Sequence, residues 1–480
     1  MKPQAGEVGH PGSHQGHHRE RRRGATLPAE IERELFDRRR FPVLGAPGRQ
    51  MLRWLRGHPN APVYRQFSGH RLGPAHLAWA HWRQWRVAHA ALPPPGPPRW
   101  LDSFVRKAWA ELPARRRQGG RPPAWADMEP MGRHDLSACL PDHVPRSLVL
   151  DELICFTTSG TTGHPLRVPS HPVVAAEYLA YHRRALRQFG IVPHARAGEV
   201  GIVLAGYQQR CFTYVSVNPL MGECGLAKLN LMPHEWRHPD DRAAYLDACA
   251  PELISGDPVS LAALADLPLG HRPRALLSTS MALSEGLRQR LQARFQAPVL
   301  DIYSMNEAGP IGVYREDLQG FALLQPWLYV EILDEQGRPR PEGEPGEIVL
   351  SGGFNFCLPL LRYRTGDHAR LVHTQCGPVL RDLQGRSPVR FQRADGRWVN
   401  NIEITHALKP FDLVRYALHQ GMDAAFELRV DGREPLAGIA PRLREALVKP
   451  LGLPLALTVV GLGADDKLRQ YTSDLPGHAP

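Results

Sequence analysis

The chain of 480 residues is long enough for a large hydrophobic core and for more than one domain. Its hydrophobic fraction of 42% and charged fraction of 22% are typical of globular proteins and exclude a wholly disordered chain. The net charge of +11 is concentrated in residues 1–150, which carry 25 Lys and Arg against 12 Asp and Glu. A basic region attracts anions, but no helix-turn-helix, zinc-finger or RNA-binding motif accompanies it, so we do not expect a nucleic-acid partner.

Residues 1–25 are polar and basic, and we interpret them as a disordered tail. They lack the apolar core of a signal peptide, and no later apolar run approaches the roughly 18 residues of a membrane span. We therefore expect a cytoplasmic protein. Seven widely separated cysteines indicate reduced thiols. Cys211, Cys224 and His234 could in principle bind zinc, but their spacing fits no compact metal motif.

The first long helical pattern covers residues 74–92 and places Leu77, Trp82 and Trp85 on one stripe. We expect this stripe to pack on the core; a helix lying on a membrane surface is the alternative. The sequence "PPPGPP" at 93–98 then ends the helix.

From about residue 150, short apolar runs alternate with helical stretches, which predicts an α/β fold with parallel-rich sheets. Strands are expected at 199–207, 251–256, 274–280, 297–304 and around 346–353. Residues 282–295 have helical spacing, with Ser284 as the N-cap. The sequence beyond Gly385 has strands and helices of its own, which indicates a small α+β C-terminal domain.

A glycine- and hydroxyl-rich stretch follows a strand-like run at residue 157. It is not a P-loop, because its two glycines are only three residues apart and His164 stands where a lysine would be required. Backbone N–H and hydroxyl groups in such a stretch can surround a polyphosphate, although a generic turn would have a similar composition. The candidate phosphate-binding residues are Thr157, Thr158, Ser159, Gly160, Thr161, Thr162 and Gly163.

Five sequence motifs, of which this stretch is the first, occur in a fixed order along the chain. "TTSGTTGHP" resembles the phosphate loop of the adenylate-forming superfamily, and "DIYSMNEAG" (301–309) resembles its Tyr-Gly-x-x-Glu motif. "LPLLRYRTGD" (358–367) is similar to its Tyr-Arg-Thr-Gly-Asp motif, "QGR" (384–386) to its hinge, and "GADDKLRQ" (463–470) to its late lysine motif. Within the superfamily, "LPLLRYRTGDHARL" and the segment "MEPMGRHDLSACLPDHVP" before the loop look most like the phenylacetate-CoA ligases and their relatives, including coenzyme F390 synthetase-like proteins. Residues 1–120 match less clearly.

This resemblance implies a large AMP-binding domain at 26–385 and a small mobile domain at 386–480. It also implies an ATP-dependent ligase in which a carboxylate attacks the α-phosphate, pyrophosphate leaves, and an acyl-adenylate forms. The acyl group then passes to the thiol of CoA or of a phosphopantetheine on an acyl carrier protein. A non-catalytic nucleotide-binding relative with the same fold is the alternative.

The resemblance also assigns roles to individual residues. Glu307 and Thr158 would bind Mg²⁺, Asp367 would bind the ribose hydroxyls, and Lys467 would neutralise charge on the α-phosphate. The nucleotide would further contact Ser280, Tyr303 and Arg386, of which Arg386 also marks the hinge.

The expected acyl site is aromatic. Tyr207, Phe212 and Tyr214 fall where these enzymes bind the acid, which favours an aromatic substrate, although core packing would equally explain these residues. Two positions depart from the family pattern, because His164 replaces a lysine and Ser304 replaces a glycine.

Overall fold

A twelve-stranded sheet dominates the computed structural model, which describes residues 26–117, 119–157, 166–208, 211–385, 389–463 and 469–476. The helices are α1 (Ala29–Leu35), α2 (Ala46–Gly57), α3 (Pro74–His89), α4 (Leu101–Glu111), α5 (Pro113–Arg117), α6 (Arg133–Ala138), α7 (Pro172–Arg187), α8 (Asp241–Cys249), α9 (Pro258–Ala265), α10 (Glu285–Phe295), α11 (Asn401–Leu408) and α12 (Leu436–Leu451).

The strands are β1 (Ile154–Thr157), β2 (Arg167–Ser170), β3 (Val200–Gly206), β4 (Tyr214–Asn218), β5 (Cys224–Asn230), β6 (Leu253–Gly256), β7 (Ala275–Thr279), β8 (Val299–Met305), β9 (Gly309–Arg315), β10 (Gly320–Leu323), β11 (Leu328–Leu333), β12 (Pro345–Gly352), β13 (Leu360–Thr374), β14 (Gly377–Gln384), β15 (Arg390–Gln392), β16 (Trp398–Asn400), β17 (Leu413–Gln420), β18 (Phe426–Gly432), β19 (Leu457–Gly461) and β20 (Tyr471–Ser473).

The large sheet has a parallel part and an antiparallel part. Strands β5, β3, β6, β7 and β8 are neighbours in that order and pair in parallel, and the antiparallel strand β4 closes this end. From β8 to β11 every pairing is antiparallel. The strands expected at 199–207, 251–256, 274–280, 297–304 and 346–353 are confirmed. Because β3, β6, β7 and β8 run in parallel, their carboxyl ends share one edge, where α/β proteins bind ligands.

The central strands are buried on both faces. Leu276 and Val299 point into one hydrophobic cluster, which also contains Leu52 of α2. The next residues along the same strands, Leu277 and Leu300, point into another cluster, on the side of α7. This alternation explains why the strands read as continuous apolar runs in the sequence.

Helix α10 begins where the sequence predicts. The Leu287 backbone N–H donates to Ser284 Oγ at 3.2 Å, which satisfies one of the free donors of the first turn. Leu287, Leu291 and Phe295 form the buried face of the helix.

The prediction that the tryptophan stripe of α3 packs on the core is wrong for two of its members. Trp82 is 49% exposed and Trp85 is 61% exposed. The helix instead buries Ala80, Gln84 and Val87. Small side chains allow a close approach to α7, and Gln84 accepts a hydrogen bond from Arg183 of that helix. Among the described residues, no helix is long and apolar enough to cross a membrane.

The C-terminal part has its own sheet and core. Strands β19, β18, β17 and β20 form a four-stranded mixed sheet. Residues of this sheet and of helices α11 and α12 form a separate hydrophobic cluster that includes Leu418, Leu428 and Leu443. The predicted small α+β C-terminal domain is therefore present, while its boundary at residue 386 and its mobility remain predictions.

Candidate active site

Several predicted site residues lie at the carboxyl edge of the parallel strands. Glu307 follows β8 by two residues and is only 3% exposed. Ser280 directly follows β7, and Tyr207 directly follows β3. The sequence places them at this edge because each comes within two residues of the end of a parallel strand.

Glu307 is held by two groups from distant parts of the chain. The Tyr363 hydroxyl of β13 donates to Glu307 Oε1 at 3.1 Å. Arg133 at the start of α6 places Nη1 3.6 Å from the same oxygen. Arg133 reaches this position because Met131 pairs with β13, donating its N–H to Arg362 O and accepting from the Arg364 N–H. Sequence reasoning missed Arg133, although it lies in the "MEPMGRHDL" segment that resembles the ligase family.

Asp367 is held by a second tyrosine. The Tyr303 hydroxyl of β8 donates to Asp367 Oδ2 at 2.8 Å. The Asp367 N–H donates to Thr365 Oγ1 at 3.0 Å, and that hydroxyl donates to Ile348 O at 2.8 Å. Burial, with the neighbouring Asp367 charge, raises the pKa of Tyr303 well above its usual value. Tyr303 therefore remains a protonated donor at neutral pH.

The two tyrosine–carboxylate pairs join two separate motifs. Tyr303 and Glu307 belong to one motif, Tyr363 and Asp367 to the other, and each tyrosine contacts the carboxylate of the opposite motif. Strands β9, β10 and β14 separate β8 from β13 in the sheet. The sheet must therefore curl back to bring the motifs together, and the register shifts along β13 are consistent with this bend.

An aromatic wall stands beside Glu307. Gly309 has a φ of +69°, and an added Cβ would lie 2.4 Å from the Phe354 ring. Tyr178 of α7 packs edge-on against Phe354 with ring centroids 5.1 Å apart. Burial raises the pKa of Tyr178 to about 12, with a smaller contribution from the Glu307 charge. Sequence reasoning missed Tyr178 and Phe354, because nothing in their local patterns distinguishes them from core residues.

Ser280 has an unusual backbone conformation. Its φ of +73° lies in the left-handed region that glycine usually occupies. Such strain in a non-glycine residue is typical of functional sites.

The predicted acyl-binding aromatics lie farther along the same edge. Tyr207 is half-buried, whereas Phe212 is 51% exposed and packs against Tyr214 with ring centroids 5.5 Å apart. Tyr214 begins β4, five strands from β8 in the sheet order. At ~4.8 Å per strand, Tyr214 is roughly 24 Å from β8 along the sheet, whereas Tyr207, just after β3, is roughly 14 Å away. Their role in binding an acid remains a prediction.

Other predicted site residues lie outside the described part of the chain. Thr157 ends β1, and its backbone alone is described. The remaining phosphate-loop residues from Thr158 to Gly163, the hinge residue Arg386 and the catalytic candidate Lys467 are not described. Their roles remain predictions.

The residues present fit a magnesium ion at Glu307. Mg²⁺ prefers oxygen ligands and is usually held by one or two carboxylates together with substrate phosphates. Glu307 is a buried carboxylate, and both of its described contacts fall on Oε1. By contrast, Cys211, Cys224 and His234 do not form a metal-binding group among the described residues, because their ligand atoms are not gathered together.

Comparisons with known proteins identify similar sequences and a similar fold. Residues 125–356 match the family model of AMP-binding enzymes. The phenylacetate-coenzyme A ligase of Pseudomonas putida is 33% identical over 110 residues, which cover 22% of this chain and 25% of the relative. That of Aromatoleum evansii is 27% identical over 192 residues, covering 38% of this chain and 43% of the relative. The chain thus matches less than half the length of these relatives.

The fold has a counterpart among solved structures. 2-Hydroxyisobutyryl-CoA ligase, in its postadenylation state with an acyl-adenylate, superposes with a TM-score of 0.59 at 18% identity. The superposition covers 78% of this chain and 88% of that structure. Residues 125–356 therefore form an AMP-binding enzyme domain, and the chain is a low-identity homologue of the phenylacetate-CoA ligases.

Proposed function

We propose that the protein is an ATP-dependent carboxylate ligase that forms an acyl-adenylate and transfers the acyl group to a thiol. The carboxylate oxygen bonds to the α-phosphorus of ATP and pyrophosphate leaves. The thiol sulfur then bonds to the acyl carbon, and AMP leaves with the electron pair of the broken bond. The observation that carries this proposal is the pair of tyrosine–carboxylate contacts joining Glu307 and Asp367 at the carboxyl edge of the sheet.

Each described residue has a role that its environment supports. Asp367, oriented by Tyr303, presents a carboxylate that can accept hydrogen bonds from the ribose hydroxyls. Ser280 would contact the adenine from the end of β7. Glu307, oriented by Tyr363, would hold Mg²⁺ against the phosphates; when bound, the ion offsets phosphate charge. Arg133 is close enough to Glu307 to contact an anion there as well.

We further propose roles for the residues beyond the described part of the chain. Thr158 to Gly163 would surround the β- and γ-phosphates, with Thr158 as a second magnesium ligand. Arg386 would contact the nucleotide at the hinge. Lys467 would stabilise the charge that develops as the carboxylate attacks, and a donor aimed at developing charge contributes more to the transition state than to the ground state.

The substrate and acceptor belong to the same proposal. An aromatic acid is supported by the similarity to phenylacetate-coenzyme A ligases and by the aromatic residues Tyr207, Phe212 and Tyr214. CoA or an acyl-carrier phosphopantetheine would accept the acyl group. The cytoplasm, which supplies ATP and reduced thiols, is the proposed compartment, consistent with seven cysteines that form no disulfide.

The decisive experiment is acid-dependent exchange of labelled pyrophosphate into ATP with a panel of aromatic and aliphatic acids. We expect exchange with at least one aromatic acid, followed by thioester formation when CoA or a carrier protein is added. ATP binding without exchange for any acid would instead favour a non-catalytic nucleotide-binding relative.

Glu307→Gln tests the proposed magnesium ligand in the same assay. The amide keeps the size of the side chain but removes its charge, so we expect exchange to fall at least tenfold and to require more Mg²⁺. Circular dichroism should show an unchanged fold. Unchanged exchange and an unchanged Mg²⁺ titration would exclude Glu307 as the ligand.

A further inference from the structure

A second cluster of polar side chains lies away from the Glu307 site. His76 is in the first turn of α3, Glu152 lies in the short helical turn Leu150–Glu152, and His171 precedes α7. The potential ligand atoms of the three residues lie within 4.8 Å of one another. Across the described ranges, no other group of three His, Cys, Asp or Glu side chains is gathered in this way.

The position of this cluster in the fold is specific. Strands β1 and β2 form a hairpin, pairing from Ile154 with Ser170 to Thr157 with Arg167. Glu152 lies two residues before β1, and His171 directly follows β2. Both are therefore at the open end of the hairpin, beside the pair Ile154 and Ser170. His76 approaches the same point from α3.

The geometry resembles a metal site without its ion. His171 Nε2 and Glu152 Oε2 are 3.7 Å apart, which is too long for a hydrogen bond. Two ligands about 2.1 Å from a tetrahedral zinc ion lie about 3.4 Å apart, close to this separation. The imidazole rings of His76 and His171 are nearly perpendicular, with centroids 5.0 Å apart.

The burial of the two histidine side chains is a second observation that favours a metal ion. His76 Nδ1 is buried and has no hydrogen-bond partner among the described residues. A buried polar atom without a partner is costly, and a metal ion would satisfy it. His171 is 4% exposed and packs against Phe356 and Trp79, so its ring is already fixed. Glu152 is exposed and leaves a path for an ion to enter.

We propose that His76, Glu152 and His171 bind a divalent transition-metal ion, zinc in the first instance, that fastens the open end of the β1–β2 hairpin to α3. Two imidazoles and one carboxylate form a ligand set that suits zinc and leaves a fourth position for water. Calcium and magnesium, which prefer oxygen ligands, would bind poorly.

Metal binding has a consequence for the ring proton of His171. The Val173 N–H donates to His171 Nδ1 at 3.1 Å, so the neutral ring carries its proton on Nε2 when no metal is bound. Coordination through Nε2 moves this proton to Nδ1 and breaks the bond to Val173. One hydrogen bond at the start of α7 is thus exchanged for the coordinate bonds of three side chains.

Zinc binding to the full-length chain tests the proposal. The metal-free protein, His76→Gln, Glu152→Gln and the control His81→Gln would be titrated with Zn²⁺ against a chromophoric chelator. His81 is an exposed histidine of the same helix and lies outside the cluster. The four histidines in residues 1–25 are present in every variant and give the same background.

We expect the wild type and His81→Gln to bind one more equivalent of zinc than His76→Gln. Glu152→Gln should bind that equivalent at least tenfold more weakly; because Glu152 is exposed, this variant should fold normally. Equal stoichiometry and equal affinity in all four proteins would overturn the proposal and assign the zinc to the N-terminal histidines.

Thermal unfolding gives a readout that does not depend on stoichiometry. An ion that binds only the folded state raises the Tm of the protein. Zn²⁺ should raise the Tm of the wild type and of His81→Gln but not that of His76→Gln, and Mg²⁺ should have no comparable effect. A zinc-induced rise that is the same in all variants, or absent from the wild type, would overturn the proposal.

Discussion

The hydroxyls of Tyr303 and Tyr363 join the carboxylates of two separate motifs into one site. Each is donated to a carboxylate of the other motif, so neither Asp367 nor Glu307 is free to rotate away. A hydrogen bond to a charged acceptor typically contributes about 1.5–3 kcal/mol, more than a neutral one. Orientation of each carboxylate thus depends on a tyrosine of the opposite motif.

Tyr303→Phe should weaken ATP binding without changing the chemical step. Loss of the hydroxyl leaves Asp367 less well oriented toward the ribose, so we expect the KM for ATP to rise roughly tenfold, equivalent to about 1.4 kcal/mol. The kcat for pyrophosphate exchange should change little. Tyr329→Phe, which removes a half-buried hydroxyl from β11, is the matched control. A KM that is unchanged, or raised equally by both substitutions, would contradict the role of Tyr303.

The individual carboxylates could be predicted from the sequence, but their partners could not. Glu307 and Asp367 each belong to a recognisable motif near the end of an apolar segment. Arg133 contacts Glu307 because Met131 pairs with β13, and Tyr178 lies near enough to feel the Glu307 charge because α7 packs beside Phe354. These contacts depend on the curvature of the sheet, and that curvature cannot be predicted from local sequence periodicity.

At the level of elements, the turn between β8 and β9 determines where Glu307 points. Gly309 adopts a φ of +69° in this turn, and the Phe354 ring fills the space where a side chain would be. The turn therefore depends on glycine for its backbone conformation and for the close approach of the aromatic wall. Ser304, where the family has glycine, lies in β8 and needs no such conformation.

Gly309→Ala should destabilise the protein and impair the site together. The added Cβ would clash with Phe354 and the backbone would be strained, which we expect to cost about 1–3 kcal/mol of unfolding free energy. Gly438→Ala in α12 is the control, since its Cβ would meet nothing within 4 Å. That variant should be neutral or slightly more stable. Urea unfolding and pyrophosphate exchange would be measured, and equal stability of the two variants would contradict this argument.

Strand and helix predictions succeeded where burial is two-sided or where a cap is clear. Strands β3, β6, β7 and β8 appear as apolar runs because both of their faces are buried, and Ser284 marks the start of α10. The prediction for α3 was wrong, because its large apolar residues Trp82 and Trp85 are exposed. Ala80 and Val87 contact the core instead. Periodicity identifies a face of a helix but does not show which face meets a neighbour.

At the level of the whole molecule, the C-terminal part packs against the start of α10. The Glu285 N–H donates to Lys409 O at 3.2 Å, and the Ser284 hydroxyl donates to Leu413 O at 2.8 Å. Arg290 forms an ion pair with Asp412 at 3.3 Å.

Asp301 of β8 lies near Lys409 and Arg288. Burial raises the pKa of Asp301 to about 7, and the two cations only partly oppose this effect.

Asp301 should make stability depend on pH. Its folded pKa is above its usual value of 3.8, so between pH 4 and pH 7 the folded state binds more protons than the unfolded state. Unfolding free energy should therefore fall as pH rises through this window, by at most on the order of 4 kcal/mol. Asp301→Asn cannot ionise and should flatten the dependence, as measured by urea unfolding at pH 5 and pH 7.5. Equal slopes in the two proteins would contradict the raised pKa.

The packing of the C-terminal part on α10 can be tested through Gly286. A Cβ at this position would lie 2.4 Å from Asp412 N and 2.5 Å from Phe411 C, and these backbone atoms cannot rotate away. Gly286→Ala should therefore separate residues 409–413 from α10, while the buried face of that helix, formed by Leu287, Leu291 and Phe295, stays intact.

We expect Gly286→Ala to increase the radius of gyration in small-angle X-ray scattering and to speed proteolysis between the large sheet and β17. Gly270→Ala is the matched control, because its Cβ would make only an ordinary contact with Asp247 at 3.6 Å. If the C-terminal domain rotates between the two steps of the proposed reaction, its contact with α10 stabilises only one of its positions. Loosening this contact should then change the balance between pyrophosphate exchange and thioester formation. Scattering and proteolysis identical to those of the wild type would show that the contact does not hold the C-terminal part in place.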